Sequence, residues 1–172
     1  MPAKICTIIR ANYTMKGILN GMVIYSLGDT IASMMLQQFC LSRVIGISIV
    51  GGLVYSLEIP AYFRWIDSKT KAKSSTRFSG PLLRTTLALA YFNPLWIARH
   101  LAFIALFSDQ FNAIRFSILG IAGKSFVTNI PLSVLANYLI QNILPYKYRF
   151  VGSAIFSSLM AVYYALSAVW FR

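Results

Sequence analysis

The sequence predicts an all-α integral membrane protein, a polytopic helical bundle of four to five spans with its N-terminus inside. Three observations support this fold class. The 172-residue chain is 58% hydrophobic and has a mean hydropathy of +0.65. Only 12% of its residues are charged, against about 25% in a typical soluble protein. Its apolar residues lie in segments of about 20 residues, the length that a helix needs to cross the hydrocarbon core.

Five segments have this length and composition, and together they predict a single transmembrane domain over residues 1–172. A basic loop, 64–81, is the only long polar stretch between them. The fourth segment, 113–144, is interrupted at Pro131, so it is either one tilted crossing or an interfacial helix followed by a crossing. The predicted spans, in chain order, are 17–38, 44–63, 82–107, 113–144 and 150–171.

The basic residues orient these spans, because Lys and Arg are more frequent on the inner side of a membrane. If the fourth segment does not cross, Lys147 and Arg149 move outside, so the charge distribution favours five crossings. In that topology three basic residues lie outside, namely Arg43, Arg115 and Arg172. Eleven lie inside: Lys4, Arg10, Lys16, Arg64, Lys69, Lys71, Lys73, Arg77, Arg84, Lys147 and Arg149.

Four charged residues fall inside the predicted spans: Asp29, Glu58, Arg99 and Lys124. A charge in hydrocarbon is costly, so such a residue usually faces a partner or a water-filled cavity. We therefore expect these four, together with Asn137, to line a pathway for a solute or an ion. The alternatives are that Asp29 and Lys124 form a structural ion pair, and that Glu58 and Arg99 extend towards the headgroups.

Three prolines lie within or near the ends of the second, third and fourth spans: Pro60, Pro94 and Pro131. Proline interrupts the hydrogen bonding of a helix, and the carbonyl group that it frees needs a protein or water partner. We expect helix breaks that contribute to gating, and the alternative is an ordinary packing kink at each proline.

Small residues at four-residue spacing predict close contacts between helices. Examples are the pair Gly17 and Gly21 and the pair Ala154 and Ser158. Such pairs are common in helical membrane proteins, and they indicate packing rather than a particular function.

The composition argues against several other functions. One histidine, two cysteines and four acidic residues are too few and too scattered for a metal site. No nucleotide-binding loop or nucleophile motif is evident, so we expect neither a cofactor nor enzyme activity. Cys6 and Cys40 lie on opposite sides of the predicted membrane and should not form a disulfide. The net charge of +12 suits anionic lipid headgroups at the basic loop better than nucleic acid.

Several short motifs follow one another along the chain: Ser26-Leu27-Gly28-Asp29-Thr30-Ile31 followed by Gln37 and Gln38, Tyr62-Phe63-Arg64-Trp65-Ile66-Asp67, Phe92-Asn93-Pro94, Pro131 with Leu135-Ala136-Asn137-Tyr138, Leu144-Pro145 with Tyr148-Arg149, and Tyr164-Ala165-Leu166-Ser167. In their order and approximate spacing they resemble the motifs of the Mpv-seventeen / 22-kDa peroxisomal membrane protein family of small membrane channel proteins. One difference is that Ile130 stands where this family has a tryptophan before the proline that corresponds to Pro131.

This resemblance implies a membrane channel or pore for small solutes or ions, or a membrane-homeostasis role, in a mitochondrial, peroxisomal or bacterial inner membrane. A second resemblance, to small bacterial alanine exporters, rests on Ser42-Arg43, the region from Phe92 to Trp96, and Asn137-Tyr138. It implies a small amino-acid exporter, although those proteins usually have four spans. A third alternative is a non-transporting scaffold. Because five helices make a tight bundle, a homo-oligomer is a further expectation.

Overall fold

The computed structural model describes residues 14–71 and 78–170, without the side chains of Lys71 and of residues 164–170. Within these residues all regular structure is helical, which confirms the all-α prediction. Some residues named in the sequence analysis lie outside the described residues: Lys4, Cys6, Arg10, Lys73, Arg77 and Arg172.

The described part of the chain contains seven α-helices: α1 Met15–Met35, α2 Leu41–Ile49, α3 Ser56–Lys71, α4 Ser79–Tyr91, α5 Pro94–Phe107, α6 Ser117–Tyr138 and α7 Tyr146–Trp170. A π-helical segment, Val50–Tyr55, joins α2 to α3 without interruption, and a second, Leu139–Ile143, extends α6. A short 3-10 turn, Phe111–Ala113, precedes α6.

Within residues 14–71 and 78–170, three helices are long and apolar enough to cross a membrane. They are Leu41–Thr70, Ser79–Phe107 and Ser117–Ile143, with mean hydropathies of 1.7, 1.2 and 1.4. They contain most of the second, third and fourth predicted spans. The Leu41–Thr70 helix is longer than the predicted second span, 44–63, because residues 64–71 of the predicted basic loop are also helical.

The outward face of α1 is apolar along its whole length. Six residues at successive four-residue intervals, which form a ridge that winds gradually around the helix, are each more than half exposed: Met15, Leu19, Val23, Leu27, Ile31 and Met35. A helix on the surface of a soluble bundle carries polar residues on this face. An apolar stripe of this length instead suits contact with lipid or with another protein.

The inward face of α1 packs closely against two other elements. A Cβ atom added at Gly21 would overlap with the carbonyl oxygen of Gly51, and one added at Gly28 would overlap with the side chain of Ser158. The Ser158 hydroxyl group donates a hydrogen bond to the Ile24 carbonyl oxygen, at 3.0 Å. These contacts hold α1 between the Val50–Tyr55 segment and α7.

We expect Gly21→Ala to lower the melting temperature of the purified protein in detergent. The added methyl group would overlap with the Gly51 carbonyl oxygen, and overpacking of this kind costs about 1–3 kcal/mol. Gly120→Ala is the matched control, because a Cβ atom there meets nothing within 4 Å and alanine favours a helix over glycine by about 1 kcal/mol. The two melting temperatures should move in opposite directions, and equal shifts would contradict the close contact.

Candidate functional site

Asp29 in α1 and Arg43 in α2 form a fully buried ion pair, with side chains that are 1% and 3% exposed. Arg43 Nε donates to Asp29 Oδ2 and Arg43 Nη2 donates to Asp29 Oδ1, each at 2.7 Å. The distribution of basic residues predicts Arg43 on the outer side of the membrane, with Lys124 as the alternative partner of Asp29. Arg43 is buried instead, since its planar guanidinium group satisfies both oxygens of the carboxylate at once.

Glu58 in α3 and Arg99 in α5 form a second ion pair, which is more open to its surroundings. Arg99 Nη1 lies 3.0 Å from both Glu58 Oε1 and Glu58 Oε2. The Arg99 side chain is 36% exposed and the Glu58 side chain is 33% exposed. The Arg99 guanidinium group also lies 5.6 Å from the centre of the Tyr55 ring. Two residues for which extension towards the headgroups was considered therefore pair with each other.

Aromatic rings connect the two ion pairs. Tyr55 is fully buried, and its hydroxyl group shares a hydrogen bond of 3.1 Å with His100 Nδ1. The Tyr55 ring lies 4.8 Å from the Tyr25 ring and 5.3 Å from the Trp96 ring, and Trp96 stacks on His100 at 5.6 Å. Asp29 and Arg43 interact electrostatically with His100, and Tyr91 interacts with Glu58 and Arg99. We call this set the interior column: Tyr25, Asp29, Arg43, Tyr55, Glu58, Tyr91, Trp96, Arg99 and His100.

Several polar atoms of the interior column are buried and form no hydrogen bond of good geometry with the described protein atoms, although Tyr25 Oη lies near Ser157 and Tyr91 Oη lies near Glu58 and Arg99. They are Tyr25 Oη, Tyr91 Oη, Trp96 Nε1, Arg99 Nε and Arg99 Nη2. Burying a polar group without a partner costs roughly 1–3 kcal/mol in proteins. Five such atoms on four neighbouring residues are therefore a costly arrangement, and the three nitrogen atoms among them can only donate.

The remaining two predicted site residues lie on α6, in different environments. Asn137 is 2% exposed and donates to the Ser133 carbonyl oxygen at 2.9 Å. It lines a cavity of about 10 Å³ that Trp96 and Ser157 also line, which is close to the volume needed for one water molecule. Asn137 thus borders the interior column, whereas Lys124 is exposed.

The three prolines occupy different helical positions. Pro94 is the first residue of α5, where the side chain of Asn93 caps the helix by accepting from the backbone N–H groups of Leu95 and Trp96. Pro60 and Pro131 lie inside α3 and α6. The break before Pro94 separates α4 from α5, and α5 then carries Trp96, Arg99 and His100 of the interior column.

A third cluster of charges, not predicted from the sequence, lies between the end of α3 and the start of α7. Arg149 Nη1 donates to the two carboxylate oxygens of Asp67 at 2.9 and 3.0 Å. Arg84 Nε lies 3.7 Å from the same carboxylate and donates to Thr70 Oγ1 at 3.1 Å. The predicted topology places Asp67, Arg84 and Arg149 on the same, inner side of the membrane. That shared location was the sequence signal from which their pairing could have been inferred.

Gln141 lies in the second π-helical segment, four residues after Asn137. That spacing predicts that both side chains continue one polar face beyond Pro131. Gln141 is fully buried, and neither its amide nitrogen nor its amide oxygen has a protein partner among the described residues. Its burial adds a second polar position to the Asn137 side of the bundle.

These residues belong to an all-helical protein whose apolar helices are compatible with insertion in a membrane. Comparisons with models of protein families, with curated proteins and with solved structures find no match for this chain. The function therefore has to be inferred from the interior residues and their contacts.

We expect Arg43→Met to destabilise the protein by about 3–5 kcal/mol, because it leaves the buried Asp29 carboxylate without a counter-charge. The double variant Asp29→Leu with Arg43→Met should recover most of this loss, since two apolar side chains can replace a buried ion pair. Equilibrium unfolding in detergent measures both values. A double variant no more stable than Arg43→Met would contradict the assignment of the pair as a mutually dependent unit.

Proposed function

We propose that the protein is an integral membrane channel for small solutes or ions, with five crossings and its N-terminus inside. Helix α1 has 21 residues and α7 has 25. At 1.5 Å per residue each is roughly 30 Å long or longer, enough to cross a hydrocarbon core of about 30 Å. Together with the three apolar helices described above, they give five crossings, and the apolar stripe of α1 would face lipid.

The distribution of basic residues supports this orientation. The described basic side chains at the proposed inner ends of the helices are Lys16, Arg64, Lys69, Arg84, Lys147 and Arg149. Arg115 lies at the outer end, and Arg43 is paired in the interior. An excess of Lys and Arg on one side is the usual mark of the inner surface.

The unpartnered polar atoms of the interior column are the single observation that carries the proposal. In hydrocarbon each unsatisfied polar group costs free energy, and a purely structural core would gain nothing from keeping five of them together. Water or a solute passing along the column would supply the missing partners. Since the unpartnered nitrogen atoms of Trp96 and Arg99 are donors, solutes rich in acceptor atoms, such as anions, match them best.

Tyr55 would be the gate of such a pathway. Its ring fills the space between Tyr25, Trp96 and the Arg99 guanidinium group. The side chain is fully buried, so passage along the column requires this ring to move. A pathway closed by one aromatic side chain is narrow and gated, which fits small solutes or ions rather than large substrates.

The resemblance to the Mpv-seventeen / 22-kDa peroxisomal membrane protein family supports the same function, in a mitochondrial, peroxisomal or bacterial inner membrane.

Lys124 supports a homo-oligomer, because it is exposed on a helix apolar enough to cross a membrane. A charge facing lipid is costly, and a second copy of the chain would cover it.

A non-transporting membrane scaffold is the second candidate. The complete pairing of Asp29 with Arg43 favours it, because both carboxylate oxygens are used in contacts within the protein. This candidate explains the outer end of the column, but it gives no reason for the unpartnered atoms around Tyr55.

Single-channel recording in a planar bilayer tests the proposal. We expect discrete current steps from the wild-type protein and a shift of at least twofold in anion-to-cation permeability for Arg99→Gln, which removes a positive charge beside Tyr55. Lys69→Gln is the control with the same charge change, because Lys69 is exposed and lies 6.0 Å from the Trp65 ring near the end of α3. Silent bilayers with folded protein would refute the channel.

Two adjacent tyrosines in the same recordings distinguish a channel from a scaffold. Tyr91 and Tyr62 stack at 4.5 Å, but Tyr62 Oη donates to the Leu87 carbonyl oxygen, whereas Tyr91 Oη faces the Glu58–Arg99 pair without a hydrogen bond of good geometry. In a channel Tyr91→Phe should change the conductance and Tyr62→Phe should not. In a scaffold Tyr91→Phe would alter only the stability, which should rise because an unsatisfied hydroxyl group is removed.

The topology predicts that Cys40 and Ser68 face opposite sides of the membrane. In the Cys6→Ala background, a membrane-impermeant maleimide should label Cys40 from one side of oriented vesicles. A variant with Cys6→Ala, Cys40→Ala and Ser68→Cys should be labelled only from the other side. The Ser42 hydroxyl group beside Cys40 Sγ and the backbone N–H groups of Arg43 and Ser42 lower the pKa of the Cys40 thiol, so its labelling should persist at a lower pH than that of an ordinary thiol. Labelling of both thiols from one side would refute the topology.

A further inference from the structure

A cavity of about 620 Å³ opens where the start of α1, the middle of α3 and the start of α7 meet. Its volume lies within the range of pockets that bind small organic ligands, roughly 300–1,000 Å³. In the proposed topology this cavity, here called the inner pocket, faces the inner surface of the membrane. It is separate from the interior column, since none of the column residues lines it.

The inner pocket is positively charged. Three helices each contribute one basic residue to its lining: Lys16 from α1, Arg64 from α3 and Lys147 from α7. The described lining residues include no carboxylate. The two acidic residues of α3, Glu58 and Asp67, do not line the pocket and are paired with Arg99 and Arg149. The pocket therefore favours an anionic group.

The rest of the inner pocket is largely apolar. Pro60, Phe63, Phe150 and Val151 form much of its lining, and Phe63 is almost completely buried. The Tyr146 hydroxyl group donates to the Pro60 carbonyl oxygen at 3.1 Å, which joins α7 to α3 along one wall. A ligand that matches this lining carries an anionic head and an apolar part.

We propose that the inner pocket binds the phosphate group of an anionic phospholipid. Lys16 and Lys147 contact the phosphate, and the first carbons of the acyl chains lie against Pro60 and Phe150. This site rests on the membrane topology of the proposed function, because only that topology places the pocket at the level of the headgroups. It does not require the protein to conduct.

Native mass spectrometry of the full-length protein in a neutral detergent tests the site. Dioleoyl phosphatidylglycerol is the anionic probe and dioleoyl phosphatidylcholine is the neutral one. The double variant Lys16→Gln with Lys147→Gln should bind phosphatidylglycerol at least about tenfold more weakly, since each basic residue near anionic lipid contributes measurably to binding. The control Arg115→Gln with Lys69→Gln removes the same charge outside the pocket and should change the affinity less than twofold.

Val151→Trp is a second variant that changes no charge. It fills the apolar part of the inner pocket and should also weaken binding of phosphatidylglycerol at least fivefold. Equal binding of phosphatidylglycerol by the wild type and both pocket variants would overturn the proposal. Displacement of the lipid by an equal concentration of inorganic phosphate would also overturn the proposal, because the pocket would then be a site for a free phosphate ion rather than for a lipid.

Recordings in bilayers of phosphatidylcholine alone separate this site from the channel. Currents there, together with unchanged lipid binding in the pocket variants, would refute the site and leave the channel standing. Silent bilayers, together with selective loss of phosphatidylglycerol from the pocket variants, would support the site and refute the channel.

Discussion

The buried ion pair between Asp29 and Arg43 fixes how α1 lies against the helix that follows it. Two hydrogen bonds of 2.7 Å between planar groups can form in only one register. In that register Gly21 meets Gly51 and the Tyr25 ring meets the Tyr55 ring. A buried ion pair adds little net stability, but it can select one packing arrangement over others. The position of the interior column follows from that selection.

The two π-helical segments determine which side chains reach the interior. Each lengthens the helical turn, and one inserted residue turns the residues that follow by about 100° around the helix axis. Val50–Tyr55 ends at Tyr55 and Leu139–Ile143 contains Gln141, two of the largest fully buried side chains. The Ser56 hydroxyl group, directly after the first segment, donates to the Gly52 carbonyl oxygen and satisfies a backbone group there. Local backbone irregularity thus delivers polar side chains to an otherwise apolar core.

The helical fold could be predicted from the sequence because apolar length and charge spacing are local properties. The contact at Gly21 was also predictable, from the small residue that precedes it by one turn. The partners of the charges were not, because pairing depends on packing between distant segments. Arg43 was assigned to a loop on its position beside a span, although the structure extends α2 around it. Asp67 and Arg149 are 82 residues apart, and only their shared side of the membrane connected them.

The two interior ion pairs differ in a way that bears on the selectivity of the proposed channel. Asp29 and Arg43 use both carboxylate oxygens and two guanidinium nitrogens on each other, so neither is left to attract a passing ion. Arg99 gives one nitrogen to Glu58 and keeps two donors unpartnered beside Tyr55. A solute in the column would therefore meet its strongest electrostatic contact at Arg99 rather than at Asp29. In the proposed channel, movement of the Tyr55 ring would both open the path and expose those donors. Gating and anion attraction would then depend on the same contact, between the Tyr55 ring and the Arg99 guanidinium group.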